Sequence, residues 1–453
     1  MGQSRREFLK FLGTAALVGS AGRSTSWAEP AGSTSQDSAA RRADRPNIIF
    51  ILADDFGITG VSSYGGSYRT EQLDALAQGG IRFEYCFSMP LCAPSRAACL
   101  TGRYGFRTGV VDNGTGRLAT PDRETTIAKV LQQAGYATAM VGKWHQLPYL
   151  STAEQAKSWG FDEFLVWERA TGERYWKPAY NKNGQTLQVT EKDYGPDLLQ
   201  EFAVDFIKRH QNKRFFLYYP MVLVHGPILR TPDSAPDSHD LFADNIRYMD
   251  KLVGKLVAEL EGLKLRERTV IVFTGDNGCV RGGTLNGRSL DGSKGTMKEG
   301  GSRVPLIVNW PGTTAAGQIC TDLIDFSDFF PTLAQLAGVS VPPGIALDGR
   351  SFTPQIKGQQ PQSRSWVFVQ LGDRWYVRDQ HWKLYNDGGL FNMSNAPFEE
   401  IPVSADKQTD QSRETRKRLQ GVLDGLGIRT LSSAPPAKDN NRTTKRGRTR
   451  SRN

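Results

Sequence analysis

The sequence predicts an α/β protein: a large mixed, mostly parallel sheet sandwiched by helices, followed by a smaller antiparallel sheet. Three observations predict it. Amphipathic helical segments alternate with short apolar runs. Those runs are continuously apolar, without the in–out alternation of a half-exposed strand. After Ser351 the texture changes to short alternating segments split by turn residues. Apolar strands alternating with helices are buried on both faces, which is the setting of a parallel sheet.

The elements follow in order. Asn47–Ala53 (NIIFILA) is a strand ending in Asp54-Asp55. In Cys92-Ala93-Pro94-Ser95-Arg96, Pro94 has the fixed φ of a first helical residue, and Ala97–Leu100 continue the helix. Cys92 is thus expected just before a helix N-terminus, where partial positive charge gathers. Thr125–Ala134 is a helix stopped by Gly135, and Tyr136–Val141 is a strand ending in Gly142-Lys143-Trp144-His145. Asp197–His210 is a helix, and Phe215–Val224 a strand ending in His225-Gly226-Pro227. Ala243–Leu263 is a long helix, and Thr269–Thr274 a strand ending in Asp276-Asn277-Gly278. Trp366–Gln370, Arg374–Arg378 and Trp382–Tyr385 read as an antiparallel meander.

Composition is that of a globular chain, 38% hydrophobic and 23% charged over 453 residues, with no apolar run long enough to span a membrane. The net charge of +10 is concentrated at the ends. Residues 1–28 carry +3 and residues 432–453 carry +6, which leaves +1 for the body and no nucleic-acid-binding surface. Ser4-Arg5-Arg6-Glu7-Phe8-Leu9-Lys10, the apolar Phe11–Val18 and Ser26-Trp27-Ala28 make 1–28 a twin-arginine signal peptide. The expected location is therefore periplasmic or extracellular, with the twin-arginine export machinery as a partner. Residues 29–45 read as a linker and 432–453 as a disordered basic tail. The five cysteines, 86, 92, 99, 279 and 320, show no metal-finger spacing, and folding before export argues against disulfides.

In parallel sheets, ligands bind beyond the carboxyl ends of the strands. Four strand ends here carry Asp-Asp, Lys-x-His, His and Asp-Asn, and these groups converge if the strands are parallel. Asp54, Asp55, Asp276 and Asn277 offer hard oxygen atoms suited to Ca²⁺ or Mg²⁺, or else are ordinary turn residues. Lys143, His145, His225 and Lys294 add the positive charge that suits a tetrahedral oxyanion. Cys92 beside a helix start admits a low-pKa thiolate nucleophile as one reading, though no protease-like sequence surrounds it.

Cys92-x-Pro94-Ser95-Arg96-x-x-x-Leu100-Thr101-Gly102-Arg103 resembles the signature of the type I, formylglycine-dependent sulfatases of the alkaline phosphatase superfamily. Gly142-Lys143-Trp144-His145, Asp54-Asp55, Asp276-Asn277-Gly278, Lys294-Gly295-Thr296, Glu299-Gly300-Gly301 and Arg303-Val304-Pro305 are similar to further motifs of that family, in its order. So are Phe329-Phe330-Pro331-Thr332-Leu333 and Asp348-Gly349-Arg350-Ser351. The segment after His145, Gln146-Leu147-Pro148, and the late Leu390-Phe391-Asn392-Met393 depart from the family pattern.

The resemblance implies an alkaline-phosphatase-like catalytic domain over 46–350 and a C-terminal subdomain over 351–431. It implies that a formylglycine-generating maturation enzyme oxidises Cys92 to an aldehyde. One hydroxyl of the hydrate attacks the sulfur of a sulfate ester, and the second expels sulfate and regenerates the aldehyde. It further implies one Ca²⁺ held by Asp54, Asp55, Asp276, Asn277 and the modified Cys92. Arg96 and Lys143 would orient the hydrate and His145 would accept its proton. Lys143, His225 and Lys294 would bind sulfate, with His225 or Lys294 as the acid for the leaving alcohol. The implied substrate is a sulfated carbohydrate. Two other readings remain: a phosphate mono- or diester hydrolase of the same superfold, and a non-catalytic glycan-binding protein. Trp159, Trp167, Tyr175, Trp176 and Tyr180 either stack on sugar rings or form a core, and the glycine-rich Arg281–Ser293 loop is the expected lip of the pocket.

Overall fold

The computed structural model describes residues 45–144, 151–168, 173–359 and 363–428. The expected signal peptide, the basic tail and His145 lie outside the described residues.

Among the described residues the main sheet contains ten strands. They are β1 (Asn47–Ala53), β2 (Ile81–Phe87), β3 (Ala137–Trp144), β4 (Glu163–Glu168), β5 (Tyr180–Lys182), β6 (Gln185–Thr186), β7 (Phe215–Pro220) and β8 (Thr269–Gly275). A small hairpin, β9 (Gly283–Leu285) and β10 (Arg288–Leu290), stands apart, and β11 (Arg303–Asn309) and β12 (Gln318–Asp325) complete the sheet. The order is β12-β2-β11-β8-β1-β7-β3-β4-β5-β6. Its centre, β8-β1-β7-β3-β4, is parallel throughout. β11 runs antiparallel between β2 and β8, and β5 and β6 extend the far edge antiparallel.

β1 shows why the apolar runs do not alternate. Ile48, Phe50 and Leu52 pack into the core on one face of the sheet, and Ile49, Ile51 and Ala53 into the core on the other. Helices Cys92–Thr101, Ile127–Gln133 and Phe329–Leu336 cover the first face; Gly195–Arg209 and Leu241–Gly262 cover the second.

Several boundaries differ from expectation by a residue or two, and three of the differences have a clear physical reason. β3 runs on through Lys143 and Trp144, because these pair in register with Trp167 and Glu168 of β4. β7 stops at Pro220, which has no N–H to continue the ladder. The apolar residues after it stay buried by folding across the end of β1: Asp54 N–H donates to Leu223 O (2.8 Å), and Val224 N–H to Asp54 O (2.9 Å). The helix expected to begin at Pro94 begins at Cys92, with extended Leu91 as its N-cap. Pro94 fits inside the first turn because N–H groups there have no helical acceptor.

A second sheet, β13 (Val367–Leu371), β14 (Arg374–Arg378), β15 (Trp382–Tyr385), β16 (Leu390–Asn392) and β17 (Ile401–Pro402), is antiparallel throughout. Leu419 and Leu423 of helix Asp410–Leu426 share its core with Phe87, Met89 and Leu323 of the large sheet region. Among the described residues no helix is long and apolar enough to cross a membrane.

Candidate active site

The parallel centre of the sheet brings the predicted strand ends to one edge. Asp54 and Asp55 follow β1, Lys143 lies near the end of β3, His225 follows the crossing segment after β7, and Asp276 and Asn277 follow β8. Two glycines permit the close approaches. Gly142 has φ +128°, and a Cβ there would lie 1.9 Å from Pro220 O of the neighbouring strand. A Cβ at Gly278 would lie 1.7 Å from Gly300 O, so the Asp276-Asn277-Gly278 turn seats directly on the Glu299-Gly300-Gly301 segment. Asp55 adopts φ 58°, in the left-handed region that Asp tolerates better than most side chains.

Cys92 is buried at the centre. Its Sγ lies 3.6 Å from Asp54 Oδ1 and 3.7 Å from Asp55 Oδ1. The ammonium groups of Lys143 and Lys294 lie 3.3 and 3.5 Å from the same sulfur. The helix start is pinned from below and above: Ser95 Oγ donates to Met89 O and Leu91 O (2.8 and 2.9 Å), and Ala93 N–H donates to Asn113 Oδ1 (3.0 Å). Asn113 had no motif to mark it, standing in a polar turn-rich stretch.

Arg96 is fully buried and ties the strand ends together. Its Nε donates to Asp276 Oδ2 (2.8 Å) and its Nη1 to Lys143 O (3.0 Å), while Nη2 lies 3.4 Å from Asp54 Oδ1. Lys143 Nζ meets both oxygens of Asp54 at 2.7 Å. Lys294 Nζ meets Asp55 Oδ1 at 2.5 Å, and Asn277 Nδ2 donates to the same oxygen at 2.9 Å. The three carboxylates of Asp54, Asp55 and Asp276 are thus interleaved with three cations, Arg96, Lys143 and Lys294.

Burial works to raise the Asp54 carboxyl, but Lys143 and Arg96 outweigh it and hold the group well below the usual carboxylate range. Burial works to lower the Lys294 ammonium; with Cys92 a neutral thiol, the carboxylates of Asp55, Asp54 and Asp276 outweigh it, so Lys294 stays protonated. Burial, then the nearby Asp276, pushes the Cys92 thiol well up, which argues against the thiolate-nucleophile reading for the residue as encoded. Burial lowers His225. Its Nδ1 lies 2.7 Å from Gly226 O, a group that only accepts, so Nδ1 carries the proton and Nε2 faces Asp55 Oδ2 at 3.7 Å.

The residues present fit a hard cation. Ligand atoms of Asp54, Asp55, Cys92 and His225 all lie within 4.8 Å of one another. Asn277 Oδ1, beside them, is buried without any hydrogen-bond donor. A buried amide oxygen left in that state is costly, and a cation satisfies it. Asp276 Oδ1 accepts from Asp55 N–H (2.9 Å) and keeps a further lone pair, while Oδ2 faces Nε and Nη2 of Arg96, both at 2.8 Å.

Above the carboxylates opens a cavity of about 620 Å³. Asp55, His225 and Lys294 form its floor, and Ile228, Phe242 and Val280 an apolar wall. Val280 and Arg281 place the glycine-rich segment at the lip, as expected. The aromatic cluster resolves as core: Trp159, Trp167, Tyr175 and Tyr180 are buried, and half-buried Trp176 donates its indole N–H to Arg230 O (2.9 Å). The motif residues Glu299 and Arg303 are likewise structural: Glu299 pairs with Arg378 of the second sheet, and Arg303 with Glu84 at 2.9 Å.

The family model described as "Sulfatase" matches residues 46–339, and that for "N-sulphoglucosamine sulphohydrolase, C-terminal" matches residues 292–412. Human arylsulfatase D is 31% identical over 461 residues, covering 78% of this chain and 77% of that protein. Dog N-acetylgalactosamine-6-sulfatase is 34% identical over 365 residues, covering 72% of this chain and 69% of that protein. The crystal structure of Ps i-CgsB superposes with a TM-score of 0.73 at 27% identity, covering 84% of this chain and 92% of that one. That protein has also been crystallised in complex with k-i-k-neocarrahexaose.

Proposed function

The chain belongs to the sulfatase family, hydrolases of sulfuric esters, and from that premise we propose that it is an exported, Ca²⁺-dependent enzyme that removes sulfate from sulfated glycans. The observation that carries the reading is the position of Cys92: buried at a helix N-terminus, with two carboxylates and two ammonium groups within 3.7 Å of its sulfur. A thiol needs no such surroundings to pack, whereas a nucleophile that must meet a tetrahedral oxyanion does.

Oxidation of the thiol by a formylglycine-generating maturation enzyme would give residue 92 the hydrate hydroxyl that serves as nucleophile. Asp54, Asp55, Asp276 and Asn277 would hold Ca²⁺, with the oxidised residue 92 as a further ligand. When bound, the cation acidifies that hydroxyl and polarises the sulfate.

The remaining work falls to this chain's side chains. Lys143 and Lys294 donate to sulfate oxygens from positions close to residue 92. Arg96 keeps Asp276 and the backbone of Lys143 in place; it reaches carboxylates and a carbonyl, so we assign it the positioning of the metal ligands. His225 faces the cavity with Nε2, which can donate only when the ring carries a second proton, and Lys294 with an ammonium; one of them, in its protonated form, supplies the proton to the leaving alcohol. The apolar wall of Ile228, Phe242 and Val280 suits the non-polar face of a sugar ring. His145 would accept the proton in the step that releases sulfate. Export through the twin-arginine route, with cleavage after Ala28, would deliver the folded enzyme to the periplasm or beyond.

Peptide mass spectrometry on Phe83–Arg96, from a host that carries the maturation enzyme, tests the reading. It should find an aldehyde in place of the Cys92 thiol, and the same material should hydrolyse an aryl sulfate far faster than an aryl phosphate. A free thiol in active enzyme would sink the mechanism.

A further inference from the structure

We propose that Arg174 is an anion-binding residue of the active site, its Nη1 donating to a non-bridging oxygen of the substrate's sulfate group. The proposal rests on the sulfate-ester reading above and adds a donor that no sequence motif marks.

Four observations carry it. The Arg174 guanidinium lies over the indole of Trp167, 4.1 Å from the ring centroid. Stacking of this kind fixes the plane of the fork and leaves its edge free to donate. That edge points toward Asp54, with Nη1 4.0 Å from Asp54 Oδ2, beyond hydrogen-bond reach. Asp54 does not need it, because Lys143 already occupies both carboxylate oxygens at 2.7 Å. Nη1 is buried and has no acceptor, although the side chain as a whole remains 13% exposed. A guanidinium N–H shielded from water without an acceptor is rare in folded proteins and costly to keep.

The backbone of the residue is also anchored. Its carbonyl accepts from Tyr180 Oη (2.6 Å), and a Cβ at Gly195 would come within 2.3 Å of the same oxygen. The adjoining Tyr175 donates its hydroxyl to Val222 O (3.0 Å) and to His225 O. Arg174 is therefore tied to the segment that presents His225.

The unmet groups around Asp54 are of opposite kinds. Asn277 Oδ1 is an acceptor that suits a cation, and Arg174 Nη1 is a donor that suits an anion. A sulfate group has three non-bridging oxygens, and an arginine edge beside Lys143 gives them a donor that does not depend on the metal.

The test uses inorganic sulfate and 4-nitrophenyl sulfate, a substrate with no second anionic group. Arg174→Gln should weaken competitive inhibition by inorganic sulfate roughly 10- to 100-fold and lower kcat/KM for the aryl sulfate by a similar factor, the loss of one charge-assisted hydrogen bond. Bound Ca²⁺ should stay at the wild-type level, and Arg174→Lys should recover part of both effects. Unchanged sulfate inhibition in Arg174→Gln overturns the proposal. So does a loss confined to glycans with a second acidic substituent, which would place the contact on that substituent. A fall in Ca²⁺ content that Arg174→Lys does not repair overturns it too, in favour of a packing role beside Asp54. If the wild-type protein neither hydrolyses the aryl sulfate nor binds sulfate, the sulfatase reading itself has failed; if it does both and Arg174→Gln matches it, only Arg174 has been misassigned.

Discussion

Two buried ionic clusters lie beyond the carboxyl ends of strands of the main sheet, and they end differently. In the first, at the sheet edge, Asp54, Asp55, Asp276, Arg96, Lys143 and Lys294 surround Cys92. In the second, Asp325, Asp328 and Arg364 sit where the large sheet meets the small one. There Asp325 accepts from Ser327 N–H, Ser327 Oγ, Tyr104 Oη and Phe368 N–H at 2.8 to 3.1 Å. Asp328 accepts from Arg350 N–H (2.6 Å), Asp325 N–H (2.9 Å) and Arg364 Nε (3.0 Å). None of the side chains of Asp325, Asp328 and Arg364 has a buried polar atom without a hydrogen-bond partner; around Cys92, Asn277 Oδ1 and Arg174 Nη1 do. Buried charge alone therefore does not mark a functional site. Unmet hydrogen-bonding capacity within a cluster of buried charges is the better pointer, because a ligand can complete it.

The difference can be broken from either side. The largest expected effect is on turnover: Cys92→Ala should lower sulfate release from an aryl sulfate by at least about three orders of magnitude, as loss of a nucleophile does. Its melting temperature should stay close to wild type, and near-normal turnover would remove residue 92 from the chemistry.

Arg364→Met should do the reverse. It leaves Asp328 buried without its cation and should cost about 3–5 kcal/mol of stability in denaturant unfolding. The protein that remains folded should keep its kcat, and a variant of full stability but low kcat would erase the distinction between the clusters.

Metal removal should touch only the first cluster. Strong chelation is expected to abolish turnover and Ca²⁺ to restore it. Calcium at about 100 times its dissociation constant should also raise stability by about 2.7 kcal/mol, through binding to the native state alone. Indifference of both readouts to chelation would remove Asp54, Asp55, Asp276 and Asn277 as ligands.

The smallest effect is a shift of shape in the pH profile of kcat/KM. If His225 is the acid, it must carry a proton on Nε2, and burial has lowered its affinity for one. Activity should then fall as pH rises through a value below 6.5, the ordinary value for histidine. If Lys294 is the acid, its raised affinity keeps it protonated and that limb should be absent through neutral pH. Comparing wild type with His225→Asn decides between them: loss of a limb seen in wild type assigns the acid to His225.

Most of the charged edge was legible in the sequence because its residues terminate strands, and strand ends in a parallel sheet share one edge whatever their separation along the chain. Asp54, Lys143, His225 and Asp276 needed only that rule. Cys92 needed its motif, since nothing in periodicity separates it from Cys99, a buried neighbour in the same helix. Element ends were less legible where long-range pairing set them: Lys143 joins β3 only because β4 lies alongside. The aromatic run from Trp159 to Tyr180 was ambiguous because burial of a Trp or Tyr is not written in its own segment; the strands and helices packed on it decide.

By itself the sequence determined the α/β class, the both-faces burial of the central strands and the set of charged residues that meet at their ends, because period and strand-end position are local properties of the chain. Only the tertiary structure decided which of those charges are satisfied. Arg96 proved to be a strut, the Asp325–Asp328–Arg364 cluster a closed network, and Arg174 an open donor. The reason is physical: whether a buried polar atom has a partner depends on groups brought from distant segments to within about 3 Å, and no pattern along one segment records that distance.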